Sequence, residues 1–400
     1  MSETESNARI PDFSLADHAF ILTKPELASR HPDSIKYLKE RIVADNLAPY
    51  YQYLHTEYIP GVLQWDEQLY QSLIKNNEKE IESLKGKITE FEEQDEGKLE
   101  LASAHRKLGE YYATIGDKKS AISTLKTAFE LTPSTGAKID IQLTITRIGF
   151  FYDDKPFVAK NLELANQLIE KGGDWERRNR FKTYQGLYLL SVRDFVSASE
   201  LLTGSLATFT STEIATYEQL AVYANIAGAF SLSRPDLKKK IIDSPELLAL
   251  LPTTPELEPI SALTISLYTS EYGSYFKYLL QVNDENIIPS RYLSAHSNYY
   301  VRELRRKAYA QLLESYKTLS LKSMADAFGV SVEFLDSDLC RFIPTKKLNC
   351  VIDKVNGIIE TNRPDNKNAQ YELLIKQGDG LLTKLQKYGA AVRLSGTEKQ

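Results

Sequence analysis

Cysteine and histidine are scarce in this sequence of 400 residues. The two cysteines, Cys340 and Cys350, belong to no C-x-x-C or mixed Cys/His pattern, which excludes a disulfide framework and a structural zinc site as organising features. Five histidines occur, and no two of them lie closer than 13 residues: His18, His31, His55, His105 and His296. Short metal-binding or catalytic motifs built on these residue types are therefore absent from the sequence.

Catalytic sequence motifs are equally lacking. The chain contains no G-x-x-x-x-G-K-[ST] phosphate loop and no H-E-x-x-H zinc motif. Gly378-Asp379-Gly380 lies within a helical pattern, where its backbone cannot wrap a phosphate as a loop between a strand and a helix does. The sequence therefore predicts a protein that is not an enzyme, with no catalytic residues, no cofactor and no bound metal.

Long apolar runs are missing as well. No stretch approaches the roughly 18 consecutive apolar residues that a membrane-spanning helix needs. The chain begins with polar residues such as Ser2 and Glu3, and no signal-like apolar segment follows them. We therefore expect no membrane partner and a location in the cytoplasm and nucleus.

Positive charge is not concentrated anywhere on the scale that nucleic-acid binding requires. The formal net charge is -5, and residues 78–100 alone hold nine acidic residues and four lysines. The remainder of the chain is therefore close to neutral. A nucleic-acid-binding domain normally carries a basic patch or stripe, and this sequence predicts none.

The first 98 residues contain an interrupted segment followed by a long helix. The interruptions are prolines at Pro11, Pro25, Pro32, Pro49 and Pro60. They predict an arm of short local helices, which packs on another surface rather than forming a compact domain. From Trp65 to about Glu93, apolar residues recur every three or four positions, which predicts one long helix.

A tetratricopeptide-like pattern begins after residue 97. In that repeat, small residues at fixed positions let two antiparallel helices approach closely. The residues that match the pattern are His105, Leu108, Gly109, Tyr112, Ala121, Leu125, Ala128 and Pro133.

Two further units follow the first one. Gly149 belongs to a second unit, whose pattern degenerates after Asp154, and Gly186 belongs to a third, twelve residues before Ala198. The glycine spacings of 40 and 37 residues exceed the usual period of ~34, so we expect lengthened helices or loops. Residues 99–233 are predicted to form a short solenoid. After a proline-rich segment, further helices are expected at residues 260–268, 272–280 and 293–317.

Residues 316–361 have the pattern of a winged helix. Two short amphipathic helices are separated by Gly329, and Ser331 is placed to cap the second of them. The predicted core residues are Leu321, Met324, Ala325 and Phe328 in the first helix and Val332, Leu335, Leu339 and Phe342 in the second. Two short apolar segments, 350–353 and 358–361, follow around Asn356-Gly357, which is the hairpin signal of a wing.

The second helix of this winged helix has the wrong charge for reading DNA. A recognition helix needs Lys or Arg to neutralise phosphates and Arg, Asn or Gln to reach base edges. This helix has three acidic residues, Glu333, Asp336 and Asp338, and one basic residue, Arg341. The sequence therefore predicts a winged helix that binds protein rather than nucleic acid.

The second wing strand is a candidate contact. Ile358 to Thr361 would leave unpaired backbone groups on a short strand, so we expect the wing to pair with a strand of another chain. Ile358 and Ile359 are the apolar residues assigned to that contact.

Residues 172–180 form another candidate contact. A Gly-Gly break is followed by Asp174, which can cap a helix, and then by Trp175, Arg177 and Arg178. Two interpretations remain open: the tryptophan packs against the preceding helix pair, or these residues form an edge that docks a partner, since Trp and Arg are favoured interface anchors.

The last predicted helix, residues 368–394, carries an apolar heptad seam. The seam residues are Tyr371, Leu374, Gly378, Leu381, Leu385, Tyr388 and Val392. One helix cannot bury such a seam by itself, so we expect it to join a bundle of helices from several subunits. Packing onto the chain's own solenoid is the alternative.

Helical repeats that run into a winged helix resemble the PCI domain. That domain is shared by scaffold subunits of the proteasome lid, the signalosome and a translation initiation factor. Within this group the sequence most closely resembles the family of the seventh non-ATPase subunit of the proteasome regulatory particle. The segments that carry the resemblance are 172–180, 309–316, 352–357 and 360–365.

The resemblance implies a mainly α fold, in which a tetratricopeptide-like solenoid is followed by a winged helix and a long C-terminal helix. It divides the chain into an arm with a long helix (1–98), helical repeats (99–242), a PCI domain ending in the winged helix (243–361), and a linker with a bundle helix (362–400).

The function that the resemblance implies is that of a non-catalytic scaffold in the lid of the 26S proteasome, supporting lid assembly and ubiquitin-dependent protein degradation. The implied hetero-oligomer contains other PCI subunits, the deubiquitinating subunit and the ATPase ring of the base, with no nucleic acid. A scaffold subunit of the signalosome is the alternative within this class. Outside it, a nucleic-acid-binding winged-helix protein and a hydrolase are the competing hypotheses.

Overall fold

The structure is a computed structural model that describes residues 9–93, 98–362 and 366–397. It divides into two compact units, Met1–Arg305 and Arg306–Gln400. Most of the predicted linker, residues 363–365 with Pro364, lies outside the described residues, as do residues 94–97. The described residues are predominantly helical, which confirms the prediction of a mainly α fold.

The first unit begins with short helices and one long helix. These are α1 (Phe13–Leu22), α2 (Pro25–Arg30), α3 (Asp33–Ala44), α4 (Ala48–Tyr53) and α5 (Glu67–Glu93). The repeats follow as α6 (Lys98–Ile115), α7 (Lys118–Leu131), α8 (Thr135–Phe151), α9 (Lys155–Gly172), α10 (Trp175–Ser191), α11 (Phe195–Ser205) and α12 (Tyr217–Ser231). The unit continues with α13 (Arg234–Leu237), α14 (Pro245–Leu250), α15 (Leu257–Thr269), α16 (Tyr272–Val282) and the start of α17 (Ser297–Ser315).

One turn recurs between the two helices of each repeat. A residue with positive φ, at Gly116, Asp153 and Arg193, ends the first helix in the left-handed region. The next residue is an aspartate whose backbone N–H donates to a carbonyl five residues earlier, at 2.9 to 3.0 Å. In each repeat the same aspartate caps the second helix through its carboxylate. The second repeat, formed by α8 and α9, is therefore a complete helical hairpin, although its sequence pattern degenerates after Asp154.

Small residues bring the paired helices into close contact, as predicted. A Cβ atom added at Gly186 would lie 2.6 Å from Leu202 Cδ2, and one added at Gly109 would lie 2.7 Å from Leu125 Cγ. Ala121 and Ala198, on the second helices of the same two repeats, are fully buried. The repeats are therefore held together by helix contacts at these positions.

We expect Gly186→Leu to lower the free energy of unfolding by about 1 to 3 kcal/mol, because the added side chain overpacks the contact with Leu202. Chemical unfolding of the purified chain measures this effect. Gly204→Leu is the matched control, since Gly204 also lies within a helix and a Cβ there meets nothing within 4 Å. Equal stability of the two variants would contradict the close contact at Gly186.

The arm packs on this chain's own repeats. The sequence predicted that the arm packs on another surface, and that surface belongs to the same polypeptide. The rings of Phe13 on α1 and Phe151 at the end of α8 lie 6.4 Å apart. Arg291 is 8% exposed, donates from Nη1 to the Phe151 carbonyl at 3.1 Å, and places Nε 3.6 Å from Asp17 Oδ1. Aromatic and charged contacts between segments far apart in sequence therefore order the arm.

The second unit contains the predicted winged helix. Its elements are β1 (Thr318–Ser320), α18 (Leu321–Phe328), α19 (Val332–Phe342), β2 (Cys350–Asp353) and β3 (Ile358–Thr361). Gly329 adopts a φ of 64°, and the Ser331 hydroxyl accepts from the Phe334 N–H at 3.2 Å, so the predicted turn and cap are confirmed. The predicted core residues are buried except Val332, which is 41% exposed; its assignment to the core is wrong because the first turn of α19 projects beyond the core.

The sheet has a strand that sequence analysis missed. The order is β1-β3-β2, with both pairs antiparallel, and Leu319 and Ile352 stand opposite Ile359 on its two sides. β3 is therefore the central strand. The second unit ends with α20 (Asn366–Thr397), which includes the whole predicted last helix.

Candidate interaction surfaces

The apolar seam of α20 is uncovered in this chain. Every residue of α20 whose burial is described is exposed. The apolar seam residues keep between 54% and 72% of their surface: Tyr371, Leu374, Leu381, Leu385, Tyr388 and Val392. Leu373, Ile375 and Leu382 are also more than half exposed, so the apolar stripe is wider than a two-stranded seam. Contact with a partner stays a prediction for these residues.

The contact predicted for the wing needs a correction. Ile359 is fully buried in the sheet, and β3 is hydrogen-bonded on both sides, so Ile358 to Thr361 cannot pair with a strand of another chain. The prediction of an unpaired strand is wrong because β1 pairs with the side of β3 that the sequence left open. The outer strands are β1 and β2, and the exposed apolar residues are Val351 on β2, at 54%, and Val355 at the wing tip, at 95%.

The exposed side of α19 is less acidic than the sequence suggested. Asp338 is buried and accepts a hydrogen bond from the Tyr309 hydroxyl at 3.2 Å, so it belongs to the core. Asp336 pairs with Lys354 of the wing at 2.7 Å, which ties the wing to the helix. Glu333 remains exposed, and Phe334 beside it is 42% exposed. This surface is apolar and weakly acidic, with no cluster of cations along α19 to meet phosphates.

The wild-type chain is therefore expected not to bind duplex DNA, whatever its sequence, because α19 presents no phosphate-binding surface. Fluorescence anisotropy at several salt concentrations provides the measurement. Sub-micromolar binding at physiological salt that weakens steeply as salt rises would contradict this prediction.

In the segment predicted as a docking edge, the tryptophan is exposed, whereas Arg177 and Arg178 make contacts within the chain. Trp175 is the first residue of α10 and is 66% exposed, so it does not pack against the preceding helix pair. Arg177 donates from Nη2 to Asp140 Oδ2 at 2.7 Å and pairs with Asp174, while Arg178 donates to the Gly173 carbonyl at 3.0 Å. The arginines therefore brace the start of α10. A docking role for Trp175 stays a prediction.

A buried ion network behind this edge was not found by sequence analysis. Arg180 and Glu213 have side-chain exposures of 4% and 0%, and Arg180 Nε donates to Glu213 Oε1 at 2.8 Å. Arg180 also pairs with Asp140 at 3.1 Å, and the Tyr184 hydroxyl donates to Glu213 Oε1. Burial, with the Glu213 carboxylate close by, raises the pKa of Tyr184 far above its usual range. The network joins α8, α10 and the turn before α12, and its members are too far apart in sequence to form a motif.

No metal-binding arrangement emerges from the part of the chain that the structure describes. Among residues 9–93, 98–362 and 366–397, no group of three or more His, Cys, Asp and Glu side chains is placed to hold a metal ion. Cys340 and Cys350 are free thiols, the first exposed and the second buried. No helix within the described ranges is both long enough and apolar enough to cross a membrane.

Comparison with protein families gives three matches along the chain. Residues 66–240 match the family described as 26S proteasome subunit RPN7, and residues 280–363 match the PCI domain. Residues 370–392 match the 26S proteasome regulatory subunit RPN7/PSMD6 C-terminal helix. The last match covers the apolar seam of α20.

Individual relatives are similar over nearly their whole length. The chain is 56% identical to the 26S proteasome regulatory subunit RPN7 of Saccharomyces cerevisiae, over 98% of this chain and 95% of that protein. It is 43% identical to the subunit rpn7 of Schizosaccharomyces pombe, over 97% and 98% of the two chains. It is 40% identical to the 26S proteasome non-ATPase regulatory subunit 6 homolog of Arabidopsis thaliana, over 96% and 97%. This chain therefore belongs to the RPN7 family of 26S proteasome regulatory subunits, which carry a PCI domain.

Proposed function

We propose that this chain acts as a non-catalytic scaffold subunit in the lid of the 26S proteasome regulatory particle, supporting lid assembly and ubiquitin-dependent protein degradation. The observation that carries the proposal is the uncovered apolar seam of α20, on a chain of the RPN7 family. An exposed stripe of this width on a single helix indicates a contact surface for other helices. The family is one of non-ATPase regulatory subunits rather than of enzymes.

The proposed neighbours are other PCI subunits, the deubiquitinating subunit of the lid and the ATPase ring of the base. The free edge of β2 and the exposed Val351 and Val355 support a contact of the winged helix with a second PCI subunit. Such an assembly would work in the cytoplasm and nucleus, which fluorescence imaging of a tagged chain tests.

Affinity purification of the tagged chain from its own cells tests the complex. We expect the co-purifying proteins to include the PCI, deubiquitinating and ATPase subunits of the proteasome regulatory particle. Recovery of signalosome subunits in their place would overturn the proposal and favour the alternative scaffold.

Charged substitutions on the wing test its part in assembly. We expect Val351→Glu combined with Val355→Glu to reduce recovery of partner subunits at least about tenfold, since a charge buried at an interface is costly. The variant should fold, because both residues are more than half exposed. Val43→Glu is the matched control, at a residue of α3 that is 51% exposed. Normal recovery of partner subunits with the double variant would show that the wing is not part of the interface.

A further inference from the structure

An open groove of about 550 Å³ lies between α5 and α6 in the first unit. The two helices run antiparallel, because the Tyr111 hydroxyl donates to Asn77 Oδ1 at 3.1 Å in one half of the pair, while Phe91 and Leu99 line the groove together in the other half. The groove therefore belongs to the half that contains the end of α5 and the start of α6. Its volume is in the range of sites that hold a ligand or a segment of a partner.

The apolar side chains in this half of the pair form a small core that is only partly covered. Its buried members are Ile88, Ala104 and Leu108. Leu84 and Phe91 pack against this core, line the groove and are half-buried. Leu99, also in the lining, keeps 60% of its surface exposed. Apolar surface on a pair of helices is normally covered by a further element, so the open side is a place for one.

Two lysines flank the groove, one from each helix. Lys87 on α5 and Lys107 on α6 are exposed, and neither forms an ion pair with a carboxylate of the described residues. Glu110, three residues after Lys107, is already paired with Arg106 at 2.8 Å. Glu100 also lines the groove, but it lies toward the start of α6. Positive charge therefore stands uncompensated beside apolar surface, and acidic side chains on a partner would complement it.

The groove has the dimensions of a short helix. Leu84 and Phe91 are seven positions apart on α5, which at 1.5 Å per residue corresponds to about 10 Å. Two turns of a partner helix cover that length, with apolar residues at i, i+4 and i+7. Both walls are themselves helices, and the rows of side chains on their surfaces leave grooves that fit the side chains of a third helix.

Charge argues against a second copy of this chain as the occupant. The exposed amphipathic helix that a second copy would offer is α20, and lysines outnumber acidic residues along its seam. Between residues 371 and 392 these are Lys376, Lys384 and Lys387 against Glu372 and Asp379. Its lysines would meet those that flank the groove. An acidic helix from a different protein is the better complement.

We propose that this groove binds a short amphipathic helix of another protein, whose apolar residues cover Phe91 and Leu99 and whose acidic residues meet the two flanking lysines. The apolar anchors provide the buried contact, and the acidic residues select the partner and its orientation. This docking site lies on α5 and α6, apart from α20 and the wing. It therefore goes beyond the proposed scaffold contacts, and its failure would leave them untouched.

Fluorescence anisotropy with the purified full-length chain tests the groove with matched probes. The probes are two stapled helical peptides of about 15 residues with leucine at i, i+4 and i+7. One peptide carries glutamate beside these anchors and the other carries lysine. We expect the glutamate peptide to bind with a Kd below about 100 µM, and the lysine peptide at least about tenfold more weakly. Equal affinities, or no binding of the glutamate peptide, overturn the proposal.

Variants at the groove locate the binding. Leu99→Glu alone, and Lys87→Glu combined with Lys107→Glu, should each weaken binding of the glutamate peptide about tenfold or more. All three residues are exposed, so the variants should fold. Lys126→Glu combined with Lys160→Glu, at exposed lysines of α7 and α9, is the matched control and should bind as the wild type does. Unchanged affinity in both groove variants would place the peptide on another surface, such as α20, and overturn the assignment.

Photocrosslinking in cells identifies the natural occupant. A diazirine amino acid at Ser103, which lines the groove, is placed in the tagged full-length chain, and the crosslinked segment is sequenced by mass spectrometry. We expect one segment of another protein with apolar residues at helical spacing and acidic residues beside them. Leu99→Glu in the same chain should remove the crosslink. A crosslink to a second copy of this chain, or to a segment without that pattern, contradicts the proposal.

Discussion

Deletion of residues 366–400 is expected to abolish incorporation of this chain into the proteasome complex, while the rest of the chain keeps its stability. The deletion removes α20, whose described side chains are exposed throughout, so the cores of the repeats and the winged helix lose none of their buried residues. Full burial of a large apolar side chain contributes about 1.5 to 3 kcal/mol. The six apolar seam residues therefore represent a gross gain of order 10 kcal/mol on assembly, before the entropy cost of association.

The measurement has two parts: thermal unfolding of the purified truncated chain, and recovery of partner subunits with a tagged version in cells. We expect an unchanged melting temperature and loss of nearly all partners. A point-mutant pair sharpens the test, since Leu381→Glu places a charge in the seam and Thr383→Glu places one on the opposite side of the helix. Normal incorporation of the truncated chain would contradict the bundle, and a large loss of stability would assign the seam to this subunit's own core.

Replacing Arg180 with methionine is expected to lower the free energy of unfolding by about 3 to 5 kcal/mol. The substitution leaves Glu213 fully buried without its guanidinium partner, and an uncompensated buried carboxylate is strongly destabilising. Asp140 loses one of its two arginines but keeps Arg177 at 2.7 Å, so the main cost falls on Glu213.

Urea unfolding of the purified chain measures that cost, and two variants control for it. Arg178→Met removes an exposed arginine two residues away, whose hydrogen bond to the Gly173 carbonyl is also exposed, and should change stability by less than about 1 kcal/mol. Adding Glu213→Leu to Arg180→Met should restore much of the loss, because a buried ion pair replaced as a unit by apolar groups is often close to neutral. If Arg180→Met alone is as stable as the wild type, the network contributes nothing to the fold.

Elements with strong local signals could be predicted from the sequence. α18 and α19 follow from apolar residues at helical spacing, a glycine at the turn and a serine cap, and the wing follows from Asn356-Gly357 between apolar segments. The contact at Gly186 follows from its spacing to Ala198, because only small residues allow helices of a repeat to approach so closely. The apolar seam of α20 could also be predicted, since a heptad pattern is visible in the sequence without tertiary information.

Other features depended on contacts between segments far apart in the chain. The three residues of β1 carry no strand signal of their own, and their pairing with β3 makes Ile359 a core residue rather than an exposed contact. Asp338 has the same sequence pattern as its exposed neighbours, yet Tyr309 makes it a buried acceptor. Arg180 and Glu213 are 33 residues apart, and nothing in either local sequence indicates that they pair.

The sequence by itself therefore determined which segments are helices, where the repeats turn, and that α20 carries an apolar heptad seam. Short-range periodicity and capping decide these features, and both act within a few residues. The tertiary structure alone decided which charges are buried, which strand is central, and where the arm docks. Whether a residue is buried or paired depends on which distant segments of the folded chain pack against it. The local sequence does not contain that information.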